Sequence, residues 1–99
     1  MKYVIIDGTN AIVAVEGRFD LVKSMEVENE LKTAVNTQGC NKIVIDFQKT
    51  MFIDSSANRL FKKQRDIVGG ENIEFRNIVH PAVMKALKTA KLDRIFTII

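Results

Sequence analysis

Ile43-Val44-Ile45-Asp46-Phe47, followed after a short gap by Phe52-Ile53-Asp54-Ser55-Ser56, is the stretch on which the reading of this chain turns. Lys42–Phe47 is a short, nearly continuous apolar run, of the sort found in a central strand covered on both sides. Gln48 to Asp54 reads as a loop. Beyond it, Ala57, Leu60, Phe61, Gln64, Ile67 and Val68 recur at the i, i+3, i+4, i+7 spacing of an amphipathic helix, which Gly69 and Gly70 end. Asp54 stands where its carboxylate can cap that helix, and Ser56 falls in the first turn, where amide hydrogens lack partners and the dipole end is positive.

Working outward, Tyr3–Ile6 and Ala11–Val15 are β-branched and apolar, and Asp7-Gly8-Thr9-Asn10 between them tolerates positive φ, so the pair reads as a hairpin. Gly17 ends the second strand. Asp20 can cap a helix whose apolar residues Val27, Leu31, Ala34 and Val35 share one face, with Gly39 as its stop. On the other side, Ile73-Glu74-Phe75 supplies a strand, and Pro81 suits the first turn of a helix running to about Ala90, with Val83, Ala86, Leu87 and Ala90 inward and Lys85 and Lys88 outward. Phe96–Ile99 is a last strand or extended tail. The order predicts an α/β fold, one domain over residues 1–99, with a mixed sheet of about four to five strands, an N-terminal hairpin, helices packed against it and parallel crossovers.

Bulk properties narrow the function. With 99 residues, 46% hydrophobic and 27% charged, the chain has the composition of an ordinary globular domain. No apolar run approaches the roughly 18 residues a membrane-spanning helix needs, and Met1–Ile6 is too short for a secretory signal core, so the expectation is a cytoplasmic protein without membrane insertion. The single Cys40 can form neither an internal disulfide nor a paired metal site, and reads as an inert thiol at a strand entrance. The net charge of +3 is dispersed and the base-stacking aromatic motif is missing, which argues against direct nucleic-acid binding. No Gly-rich phosphate loop or dinucleotide fingerprint is present, and the lone His80, just before Pro81, has no elbow motif to join it to a serine. The expectation is therefore no enzyme, no metal and no cofactor.

The order of motifs resembles STAS domains of the anti-sigma factor antagonist kind. The buried strand ending in Asp46-Phe47, Asp54-Ser55-Ser56 opening a helix, Gly17-Arg18-Phe19-Asp20 closing the second strand, and Asn77-Ile78-Val79-His80-Pro81-Ala82-Val83 followed by Leu92-Asp93-Arg94-Ile95-Phe96 all match that family in sequence order. The resemblance implies that Ser56 is phosphorylated by an anti-sigma factor that doubles as a serine protein kinase. It further implies that the unphosphorylated form binds this partner and frees a sigma factor, and that a metal-dependent serine phosphatase resets the switch. Asp20, Asp54 and Ser55 would flank the phosphosite. Ala57-Asn58-Arg59 replaces the family's usual Gly-Leu-Gly, and Ala57, Asn58, Arg59, Lys62 and Lys63 are the expected partner-binding residues, with Arg65 adding to the basic character of the helix.

A phosphate at a helix start adds about −1.5 to −2 charges and three acceptor oxygens, and changes the surface a partner must desolvate rather than the fold. Two other readings share these residues. One is a constitutive STAS subunit of a lipid-transport ATPase or a signalling scaffold. The other is small-anion or nucleotide binding at the Asp54–Ser56 loop through helix-start amides.

Overall fold

The computed structural model describes residues 1–99, arranged as β1 (Val4–Asp7), β2 (Asn10–Ala14), β3 (Gly17–Phe19), α1 (Leu21–Asn36), β4 (Lys42–Asp46), β5 (Thr50–Ile53), α2 (Ser55–Val68), β6 (Ile73–Arg76), α3 (Pro81–Thr89) and β7 (Thr97–Ile98). The expected mixed sheet is present: five strands in the order β1-β2-β4-β6-β7, antiparallel at the β1–β2 hairpin and parallel thereafter. Gly8, at φ +62, makes the hairpin turn, a left-handed backbone that most side chains resist.

Register places the core on one face. Val4 pairs with Val13, Val13 with Ile45 and Ile45 with Phe75, while Ala11, Ile43 and Ile73 form the next row. These residues join Val27, Leu31 and Ala34 of α1 and Leu60 and Phe61 of α2 in one buried cluster. Its centre is aromatic. Phe61 meets Phe19 edge-on at a centroid distance of 5.5 Å and Phe47 at 5.9 Å, and lies 5.2 Å from Phe75. One side chain of α2 thus grips β3, β6 and the end of β4, each aromatic contact adding about 0.5–1.5 kcal/mol beyond area burial.

Three points refine the sequence reading. First, β4 is the central strand and is buried on both faces, as expected, but only one of those faces joins the core cluster. Val44 is only 2% exposed, yet it is the one buried apolar residue outside the core cluster, because it points to the opposite sheet face. There it stands in register between Ile12 and Glu74, and Glu74 is paired with both Lys42 and Arg76. The hydrogen bond from Lys42, aided by Arg76, outweighs burial and holds the Glu74 carboxyl below its ordinary value.

Second, Gln48–Asp54 is not all loop, and Gly17 begins a strand rather than merely ending one. Gly17, at φ +76, turns the chain out of the main sheet so that β3 can pair in parallel with β5 as a separate two-stranded sheet. The buried Thr50 hydroxyl donates to the Val15 carbonyl at 2.6 Å and anchors this pairing. Third, Ile67 is 52% exposed: the buried stripe of α2 runs through Ala57, Leu60, Phe61 and Gln64 to the half-buried Val68 and leaves Ile67 at its rim.

Candidate functional site

The β3–β5 pairing organises the site. Phe19 and Ile53 are opposite one another in register, and the next residue on each strand, Asp20 and Asp54, is the N-cap of the helix that follows. The small parallel sheet therefore launches α1 and α2 side by side from matching caps. Both caps have extended backbones, and Asp54 Oδ1 accepts from the amides of Ser56 (2.9 Å) and Ala57 (3.1 Å), whereas Asp20 Oδ1 accepts only from Lys23 (3.1 Å).

Because the helices start from neighbouring caps, their flanks meet, with Leu21 at the first position of α1 and Ser56 at the second position of α2. Leu21, Ser24, Met25 and Glu28 of α1 and Ser56, Arg59, Leu60 and Lys63 of α2, each set at i, i+3, i+4, i+7, line a groove of about 190 Å³. Lys63 Nζ closes its far end on Glu28 Oε2 at 2.9 Å. At the near end, Ser56 is half-buried, and Leu21, Val22 and Met25 are all more than half exposed. Such an exposed apolar patch beside charged residues is the usual form of a protein-contact surface.

The two serines do not share a site. Ser55 is exposed and faces a second, wider groove of about 710 Å³ that β5 and α2 form with α3, lined by Phe52, Asn58, Lys85, Ala86 and Ala90 among others. Arg18 lies over the Phe52 ring at 4.7 Å on that side. Asn58 also turns to this groove, half-buried, with its Oδ1 enclosed and unpartnered. The residues that follow Ser56 thus divide among four environments. Ala57 is fully buried and cannot touch a partner, which corrects its assignment to the contact surface: its small side chain is needed where α2 meets the core. Arg59 and Lys63 face the α1 groove, and Lys62 is exposed outside both grooves.

Asp46 steadies the floor of the region from the carboxyl end of β4. Its Oδ1 accepts from the Gln48 amide at 3.0 Å and from Asn77 Nδ2 at 3.1 Å, tying the β4–β5 connection to the exit of β6. His80 takes the N-cap position of α3 without a side-chain cap bond, far in role from any serine. Sequence reasoning missed the α1 half of the groove. The available signal was that Leu21, Val22 and Met25 are apolar yet fall off the Val27–Leu31–Ala34 stripe.

This architecture matches known proteins. The structure of the anti-sigma factor antagonist SpoIIAA in its unphosphorylated form superimposes with a TM-score of 0.80 at 17% identity, covering 97% of this chain and 85% of that one. An anti-sigma factor antagonist from Mycobacterium paratuberculosis gives 0.74 at 22% identity, over 96% of this chain and 80% of its own. A STAS-domain containing protein of Pseudomonas aeruginosa is 29% identical over 94 residues, 93% of this chain and 90% of that protein. The STAS domain pattern itself spans residues 1–99. Because that match covers residues 1–99, the chain belongs to the STAS domain family.

Proposed function

We propose that this chain is a phosphorylation-switchable binding module, an anti-sigma factor antagonist that sequesters an anti-sigma factor with serine kinase activity and so releases a sigma factor. The observation that carries the reading is the position of Ser56: second residue of α2, held by the Asp54 cap, at the mouth of the α1–α2 groove beside the exposed Leu21 and Met25. A partner covering that patch must desolvate Ser56, so a dianion there opposes binding without disturbing the core. The likeness to proteins described as anti-sigma factor antagonists supports the same partner class. The contact surface then comprises Leu21, Val22, Met25, Ser56, Arg59 and Lys63, with a metal-dependent serine phosphatase restoring the binding form, in the cytoplasm and without catalysis by the chain itself.

The test is affinity capture from a lysate of the native organism with wild type and Ser56→Asp, with captured proteins and Ser56 phosphate read by mass spectrometry. The reading requires an ATPase-fold kinase retained by wild type and lost by Ser56→Asp. Retention of one transporter or scaffold by both forms, with no phosphate on Ser56, overturns it in favour of a constitutive subunit.

A further inference from the structure

The α1–α2 groove holds two polar groups without partners. Ser24 is 5% exposed, its hydroxyl makes no hydrogen bond, and it lines the groove together with Ser56 and Arg59. A buried hydroxyl left unsatisfied is costly and uncommon in folded proteins. Arg59 stands three residues beyond Ser56 on the same helix face and takes part in none of the ion pairs, whereas Lys63 in the same groove is held by Glu28.

The backbone has little to offer an anion here, because the Ser56 and Ala57 amides are already occupied by Asp54. Donors for a phosphate on Ser56 must therefore be side chains. We propose that the groove is an intramolecular phosphate clamp: once Ser56 is phosphorylated, the Arg59 guanidinium pairs with the phosphoryl oxygens and the Ser24 hydroxyl donates to them, drawing the phosphate into the groove. This rests on Ser56 being the phosphoacceptor and specifies how its charge is received.

Chemistry favours Arg59 for the task, since a planar guanidinium matches two phosphate oxygens at once and cannot be deprotonated. The other charges near the site are committed or opposed: Lys63 in the groove is paired with Glu28, the Asp20 and Asp54 caps repel a dianion, and Arg18 and Lys23 lie outside the groove, held by Phe52 and the Glu16 carbonyl. A phosphate held between α1 and α2 also covers the inner sides of Leu21 and Met25, so the modified form closes the groove that a partner would enter.

The experiment uses the full chain with phosphoserine installed at position 56 during translation. The second phosphate pKa is followed by ³¹P NMR in wild type, Arg59→Gln and Ser24→Ala, and melting temperatures are taken with and without phosphate. A phosphoserine titrates near pH ~6, and Arg59→Gln raises the wild-type value by about half a unit or more, the effect of one lost charge near contact distance in a watery site. Ser24→Ala leaves the unmodified protein as stable as wild type or more so, because it removes an unpaired hydroxyl, but lowers the melting temperature of the phosphorylated protein. An identical titration in wild type and Arg59→Gln overturns the clamp, as does a Ser24→Ala effect that is the same with and without phosphate. Absence of phosphate on Ser56 in protein from its own cells refutes the switch and leaves these titrations unaffected, so the two ideas fail separately.

Discussion

Replacing the two cap residues in turn tests the geometry on which the site depends. Truncating a helix N-cap carboxylate to Ala costs about 0.5–2 kcal/mol, typically ~1. Asp54 accepts two α2 amides and Asp20 a single α1 amide. Asp54→Ala is therefore expected near the top of that range, about 2 kcal/mol, and Asp20→Ala near its middle, about 1 kcal/mol. For a domain of this length each kcal/mol moves the midpoint by roughly 4–8 °C, so Asp54→Ala falls by about 8–16 °C and Asp20→Ala by about half as much. Both remain folded against a stability of about 5–15 kcal/mol. Asp54→Asn keeps an acceptor oxygen and costs less than half of what Asp54→Ala does. Urea titrations followed by circular dichroism, with equal slopes for all variants, measure the difference. An Asp20→Ala cost equal to or above that of Asp54→Ala would refute the argument, since the count of amides would then not control the energy.

Phe61→Ala empties the point where α2, β3 and β6 meet and is expected to cost about 3–5 kcal/mol, read from the urea midpoint; a loss below about 2 kcal/mol means the cluster collapses around the gap. Glu74 has a depressed carboxyl pKa in the fold, so its contribution is present above the unfolded value of about 4.3 and is lost as pH falls through the lower folded value. Glu74→Gln is accordingly expected to flatten the acid limb of stability below about pH 5, and an acid limb identical to wild type would show the Lys42–Glu74–Arg76 group to be energetically silent. Met25→Glu changes a side chain that is largely exposed, so it shifts stability by no more than about 0.5 kcal/mol, while it removes kinase capture in the pull-down; full retention of the partner places the contact surface elsewhere.

Local chemistry made much of this molecule legible from its residues. Capping by Asp20 and Asp54, Pro81 at the start of α3, the Gly8 hairpin turn and the Val27–Leu31–Ala34 stripe each depend on neighbours within a few positions, and each is found as expected. The β3–β5 pairing was not legible: both segments are short, β5 has Met51 and Phe52 exposed between buried Thr50 and Ile53, and their partnership spans more than thirty residues of chain. That single long-range pairing sets Asp20 beside Asp54 and aligns α1 with α2. It therefore also decides that Ser56 lines a groove with Ser24 and Arg59 while Ser55 faces α3. The sequence by itself determined which residues form helices, where those helices begin and which serine sits in the first turn. Only the tertiary structure decided what that serine looks onto, because a groove is made by two surfaces and its second wall comes from a distant part of the chain.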